Sequence, residues 1–209
     1  MKVGDLGEFG LIERLARQVA EQTSVGPTRN SDFPLILGIG DDAAAWRTSQ
    51  VTEVCTTDTM VQDVHFNLAT ATWHDVGWKA LAVNLSDVAA MGGTPLYALI
   101  TLGLPEETDV ADMDALYEGL LECSSEYKTA IVGGDIVRSS VAFITIALIG
   151  KTSGPVLSRS TARPGDQIAV TGSLGASGAG LAMFRRGMNL GSLGSLNDAT
   201  RLKEAHLRP

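Results

Sequence analysis

The chain has 209 residues, of which 44% are hydrophobic and 19% charged, with a formal net charge of −8 at pH 7. That length can bury a sizeable core, and that composition excludes a disordered chain, a collagen and a coiled coil. Two cysteines, Cys55 and Cys123, with no CxxC pair, argue against a disulfide scaffold or a zinc finger and for a reducing, cytoplasmic setting.

The first eight residues carry no apolar core, so no signal peptide is expected. Residues 10–22 place Leu11, Ile12, Leu15, Ala16, Val19 and Ala20 on one stripe, which predicts an amphipathic helix. A loop with Gly26, Pro27 and Pro34 follows. Residues 35–39 predict a short strand ending in Gly40-Asp41-Asp42, and residues 51–57 a β-branched strand ending at Asp58. Residues 73–91 predict a long helix, stopped by Gly92-Gly93. Then come a strand over 97–104, a helix over 110–127, a strand over 129–132 running into Gly133-Gly134-Asp135, and a strand over 141–149. That last stretch is the longest apolar run and is too short to span a bilayer, so no membrane partner is expected. Intermixed strands and helices make the class α/β or α+β, with a mixed sheet.

The character of the chain changes near Lys151, where Lys151-Thr152-Ser153-Gly154-Pro155 reads as a linker. Beyond it lie a turn at Arg163-Pro164-Gly165-Asp166, a strand over 167–171, a glycine-rich turn over 172–180 that enters a helix to Arg186, and a helical stretch over 199–207. Residues 1–150 therefore form one domain and residues 151–209 the start of a second, too small for an independent core. The first part holds 21 acidic and 8 basic side chains, the second 3 acidic and 8 basic. The acidic part repels nucleic acid, which is not an expected partner.

Several aspartates stand where elements present their side chains. Asp41 and Asp42 follow a strand, Asp58 ends one behind Thr56 and Thr57, and Asp135 follows two glycines. Each alone fits a cap or turn residue; together they suit hard cations, which take oxygen ligands. Asp87 resists the capping explanation. It shares a helix face with Asn84 amid Leu81, Val83, Leu85 and Val88, and a carboxylate there needs a partner or a metal. Bound cations would also invert the local field and let an acidic pocket hold a polyphosphate.

Other signatures fail. Gly150-Lys151-Thr152 lacks the first glycine of a P-loop, and the two acids of Gly38-Ile39-Gly40-Asp41-Asp42-Ala43 would face the pyrophosphate of a dinucleotide. His65 is a candidate contact to a substrate, with a capped surface histidine as the alternative. Arg159 either forks onto a phosphate or is a surface residue. Ser173 and Ser177 have no nearby His or Asp pattern, so nucleophilic hydrolysis has no support.

Taken together, several stretches resemble the thiamine-monophosphate kinases of the aminoimidazole-ribonucleotide-synthetase-like ATP-binding superfamily. They are Gly7-Glu8-Phe9-Gly10-Leu11-Ile12, Gly38 to Ala43, Thr56-Thr57-Asp58-Thr59-Met60-Val61, His65-Phe66, Lys79 to Gly92, Gly133-Gly134-Asp135 and Pro164-Gly165-Asp166 with Val170-Thr171-Gly172. The resemblance implies transfer of the γ-phosphoryl of ATP onto thiamine monophosphate, giving thiamine diphosphate. It implies several Mg²⁺ ions held by Asp42, Thr56, Thr57, Asp58, Asp87 and Asp135. It places ATP on Gly134, Asp135, Arg159 and Tyr117 and the acceptor on His65, and it implies a homodimer joined through the sheets of residues 1–150. Family members are longer, with a C-terminal domain that contacts thiamine, so this chain is expected to catalyse poorly or not at all. Two other readings stand beside it. One is a non-catalytic Mg-nucleotide-binding dimer module; the other is a sister ATP-dependent enzyme of the same superfamily.

Overall fold

The computed structural model describes residues 35–37, 41, 43–48, 51–172, 174–186 and 196–209. The predicted helix over 10–22, the glycines 38 and 40, Asp42 and Ser173 lie outside them.

The described residues form an α/β fold around one six-stranded mixed sheet. In chain order the elements are β1 (Leu35–Leu37), β2 (Ala44–Arg47), β3 (Thr52–Val61), α1 (Trp73–Ala90), β4 (Thr94–Leu104), α2 (Val110–Glu126), β5 (Ala130–Arg138) and β6 (Phe143–Thr152). A 3-10 turn (Arg159–Thr161), α3 (Ala176–Arg186) and α4 (Leu196–Leu207) follow. The strand order is β1-β2-β3-β6-β4-β5. Every pairing is antiparallel except β4 with β5, which is parallel because α2 carries the chain back across the sheet.

Alternation decides which face the helices cover. On β6, Ile144, Ile146 and Leu148 are buried, while Phe143, Thr145, Ala147 and Ile149 between them stay partly open. Ile100 and Leu102 on β4 and Val54 and Met60 on β3 continue the buried rows, and α1 lays Leu81, Leu85 and Val88 over them. The other face of the sheet, here called outer, leaves Tyr97 and Leu99 exposed.

Local chemistry sets α1. Thr72 closes a capping box with Asp75, each side chain accepting the other's backbone N–H. Gly77 on α1 and Gly119 on α2 let the two helices cross backbone to backbone, since a Cβ at either would overlap the facing carbonyl of Leu116 or His74.

Several expectations need correcting. The short strand β2 carries no alternation long enough to be read from sequence. Asp58 sits inside β3 rather than at its end, because the ladder with β6 runs unbroken from Thr52 to Val61. β5 does not stop at Val132; parallel pairing with β4 draws Gly133, Gly134 and Asp135 into the sheet. Nor is Lys151 in a linker, for it pairs with Glu53 and Thr94 at the end of β6. The strand expected over 167–171 is not formed. That stretch joins no ladder among the described residues, and Ile168 is 97% exposed. No helix among the described residues is long and apolar enough to cross a membrane.

Candidate functional site

The helix-facing side of β3 meets α1 at Thr56, Asp58, Asn84 and Asp87. Thr56 lies in the buried row opposite Leu148, and its Oγ1 donates to Asp87 Oδ2 at 2.7 Å. This hydroxyl is a partner of the kind that an aspartate in an apolar helix demands. Asn84 is fully buried, donates Nδ2–H to the Ala80 carbonyl at 2.9 Å, and accepts the Asp58 backbone N–H on Oδ1 at 3.1 Å. Strand and helix are thus stitched at two successive turns of α1. Asp58 follows Thr56 by two residues, so both share the helix side, with Asp58 exposed at its rim.

Two other expected ligands, Thr57 and Asp135, part from this group, and Asp42 lies outside the described residues. Thr57 lies between Thr56 and Asp58 and so faces the outer side, where it is exposed. Asp135 belongs to the outer row Thr59, Thr145, Thr101, Asp135, in which the Thr59 and Thr145 hydroxyls bond at 2.8 Å. Three strand spacings separate β3 from β5, roughly 14 Å. Within one chain Asp135 and Asp58 therefore cannot share a cation. Among the described residues no group of three or more His, Cys, Asp or Glu side chains is close enough to hold one. The donors that do converge, a Thr hydroxyl and aspartate oxygens, are the hard oxygen type that Mg²⁺ takes.

Gly134 has a backbone reason to be glycine. A Cβ there would overlap the Ile100 carbonyl of β4. Asp135 Oδ1 accepts the Ile136 backbone N–H at 2.9 Å and stays exposed. Tyr117 packs on α2 against the core, half-buried. Arg159 opens the 3-10 turn, with Nε 3.7 Å from Asp41 Oδ1.

His65 sits in the turn after β3. Its Nδ1 accepts the Val61 N–H at 3.1 Å, which leaves the proton on Nε2 as a donor aimed away from the strand. Asp63 adopts a left-handed backbone there (φ 61°), held by Asn67 Nδ2–H to its Oδ1 at 2.7 Å. The turn borders a small cavity of about 20 Å³ lined by His65, Phe66, Asn67, Asp75, Lys79 and His206. Sequence reading passed over Lys79 and His206, because a lysine in a helix and a histidine 127 residues later carry no shared signal. Burial pushes the Lys79 ammonium below its ordinary value. Burial, then the charges of Lys79 and Arg185, does the same to His206, which favours its neutral ring.

Ser177, read as having no histidine nearby, is hydrogen-bonded to His206 Nδ1 at 3.1 Å. No carboxylate bonds to that ring among the described residues, so a nucleophilic triad still has no support. Both cysteines are free thiols; burial, then Glu126 and Glu122, lifts Cys123 to about 12.

The family model described as "AIR synthase related protein, N-terminal domain" matches residues 40–152, more than half of the chain. The chain belongs to the AIR synthase related family. Among similar proteins, the thiamine-monophosphate kinase of Bacillus subtilis (strain 168) is 38% identical over 182 residues, covering 86% of this chain and 53% of the relative. The enzyme of the same name from Escherichia coli (strain K12) is 38% identical over 205 residues, covering 97% and 58%. The chain thus spans a little over half the length of these curated relatives. A solved structure of AaThiL complexed with AMPPCP and TMP superposes with a TM-score of 0.82 at 35% identity, over 100% of this chain and 61% of that one. The described AIR-synthase-type sheet and its helices are therefore shared with a chain caught holding both ligands.

Proposed function

We propose that this chain is the nucleotide- and metal-binding portion of a thiamine-monophosphate kinase, which moves the γ-phosphoryl of ATP onto the phosphate of thiamine monophosphate to give thiamine diphosphate and ADP. The observation that carries the reading is the likeness, along the whole chain, to AaThiL complexed with AMPPCP and TMP. In this reaction the bond from the γ-phosphorus to the bridging oxygen breaks and a bond to an acceptor phosphate oxygen forms. Two anions must meet, so positioning and charge neutralisation are most of the task. Mg²⁺, when bound, supplies that neutralisation. Asp42, Thr56, Thr57, Asp58, Asp87 and Asp135 would hold the ions, with Thr56, Asp58 and Asp87 gathered on one side of β3. Gly134, Asp135, Arg159 and Tyr117 would bind ATP, and His65 would offer Nε2–H to the acceptor.

The reading includes a division near residue 150 into a nucleotide-binding and dimerisation domain and the first part of a second domain, and a cytoplasmic homodimer. Pairing through the outer face of the sheet would cover Tyr97 (49% exposed) and Leu99 (42%) and bring Asp135 against another copy. The test is formation of thiamine diphosphate from ATP and thiamine monophosphate with and without Mg²⁺, beside calorimetry with Mg-AMPPCP. Mg-dependent binding with turnover supports the kinase. Binding without turnover favours a non-catalytic Mg-nucleotide module, which the match to an N-terminal-domain family model also fits. Absence of nucleotide binding sinks both.

A further inference from the structure

Asp41 precedes the expected metal ligand Asp42 and has contacts far along the chain. Its side chain is 7% exposed and takes donors from a turn more than a hundred residues along the chain. Ser158 Oγ donates to Oδ2 at 2.9 Å, the Arg159 backbone N–H donates to the same oxygen at 3.3 Å, and Arg159 Nε lies 3.7 Å from Oδ1. Two further bonds of the turn are local. Ser158 Oγ accepts the Ser160 N–H at 3.3 Å, and Thr161 Oγ1 donates to the Ser158 carbonyl. Upstream, the Leu157 N–H donates to the Met91 carbonyl at 3.2 Å, which anchors the approach to the turn but not the turn itself. Downstream, residues 162–172 are exposed and join no ladder among the described residues.

We propose that Asp41 is the positioning residue for Arg159: one buried carboxylate fixes the backbone and the Nε side of this arginine, and so aims its guanidinium at the nucleotide phosphates from the loop that also carries Asp42. The assignment rests on the nucleotide reading above. A carboxylate suits the role for two reasons. It accepts several donors at once, and its charge attracts a guanidinium at ion-pair distance.

The test is a double-mutant cycle read by calorimetry with Mg-AMPPCP on the full chain. Asp41→Asn keeps the shape and removes the charge; it should weaken binding about tenfold, as loss of hydrogen bonds to a charged acceptor does. In an Arg159→Ala background the same change should cost less than about twofold, because the residue through which Asp41 acts is gone. Ser158→Ala, which removes one donor and no charge, should cost about threefold and serves if Asp41→Asn does not fold. Additive losses, or unchanged affinity in Asp41→Asn, overturn the assignment. Hydrogen exchange at the Arg159 amide separates this from failure of the nucleotide reading. If the wild-type chain binds no Mg-AMPPCP, that reading falls. Faster exchange in the variant then still supports positioning by Asp41, and unchanged exchange overturns it.

Discussion

Gly133 and Gly134 stand side by side in β5 and should answer the same substitution in opposite ways. A Cβ on Gly134 would fall well under 3.0 Å from the Ile100 carbonyl oxygen and carbon of the neighbouring strand. Those are backbone atoms and cannot swing aside as a side chain does. Accommodation requires β5 to retreat from β4 by more than the strands' hydrogen bonds tolerate, so the ladder from Ile100 to Leu104 opens. Overpacking of this kind costs about 1–3 kcal/mol, and opened ladder bonds add about 1 kcal/mol each. We therefore expect Gly134→Ala to lose at least about 2 kcal/mol. On Gly133 the nearest atom to a new Cβ is Leu99 Cδ2 at 3.4 Å, an ordinary contact with a movable side chain. Gly133→Ala should be neutral or stabilising by up to about 1 kcal/mol, through reduced freedom of the unfolded chain. Urea denaturation of the two variants at constant m-value measures both. Since Asp135 follows directly, Gly134→Ala should also abolish Mg-AMPPCP binding if β5 carries nucleotide contacts. Equal midpoints for the two variants, or a less stable Gly133→Ala, would refute the backbone-contact argument.

Thr56→Val removes the donor to Asp87 and should cost about 1–2 kcal/mol in urea unfolding, with Thr56→Ser recovering most of it. His206 has a native value held below the ordinary 6.5, so the unfolded chain binds more protons across that interval. Its contribution is complete above pH 6.5 and fades as pH falls through the depressed value; His206→Gln should flatten thermal stability against pH in that window. Cys123, lifted to about 12 and buried, should resist iodoacetamide at pH 8 until the chain is unfolded, as a mass-spectrometric time course would show. If copies pair through the outer face, Leu99→Asp should shift light scattering from dimer to monomer while leaving the helix-side core intact.

What the sequence disclosed and what it hid divide along a physical line. α1, β4, α2 and α3 were legible because capping residues, glycine stops and 3.6- or 2-residue periods are local signals carried within each segment. The pairing of Thr56 with Asp87 was half legible. An aspartate among Leu81, Leu85 and Val88 announces that it needs a partner, but its identity depends on how β3 lies beneath α1. Strand lengths were misjudged where long-range ladders overrode local breakers: Gly133-Gly134 looks like a stop, yet β4 supplies the partners that keep β5 going. The reverse happened at 167–171, where a good strand pattern finds no ladder among the described residues. The site is subject to the same rule. Motifs nominate candidate aspartates, but the period of two assigns Asp58 to the helix side and Thr57 to the outer side, and the strand order sets Asp135 three strands from Asp58. A ligand that engages both Asp58 and Asp135 must therefore reach around the sheet or take one of them from another copy of the chain. Asp41 is the clearest case of what only the fold reveals, since its partners Ser158 and Arg159 lie 117 and 118 residues away. Neither the Ser158 hydroxyl nor the Arg159 backbone N–H carries a local signal that ties it to Asp41, so these bonds are set by the fold and not by any one segment.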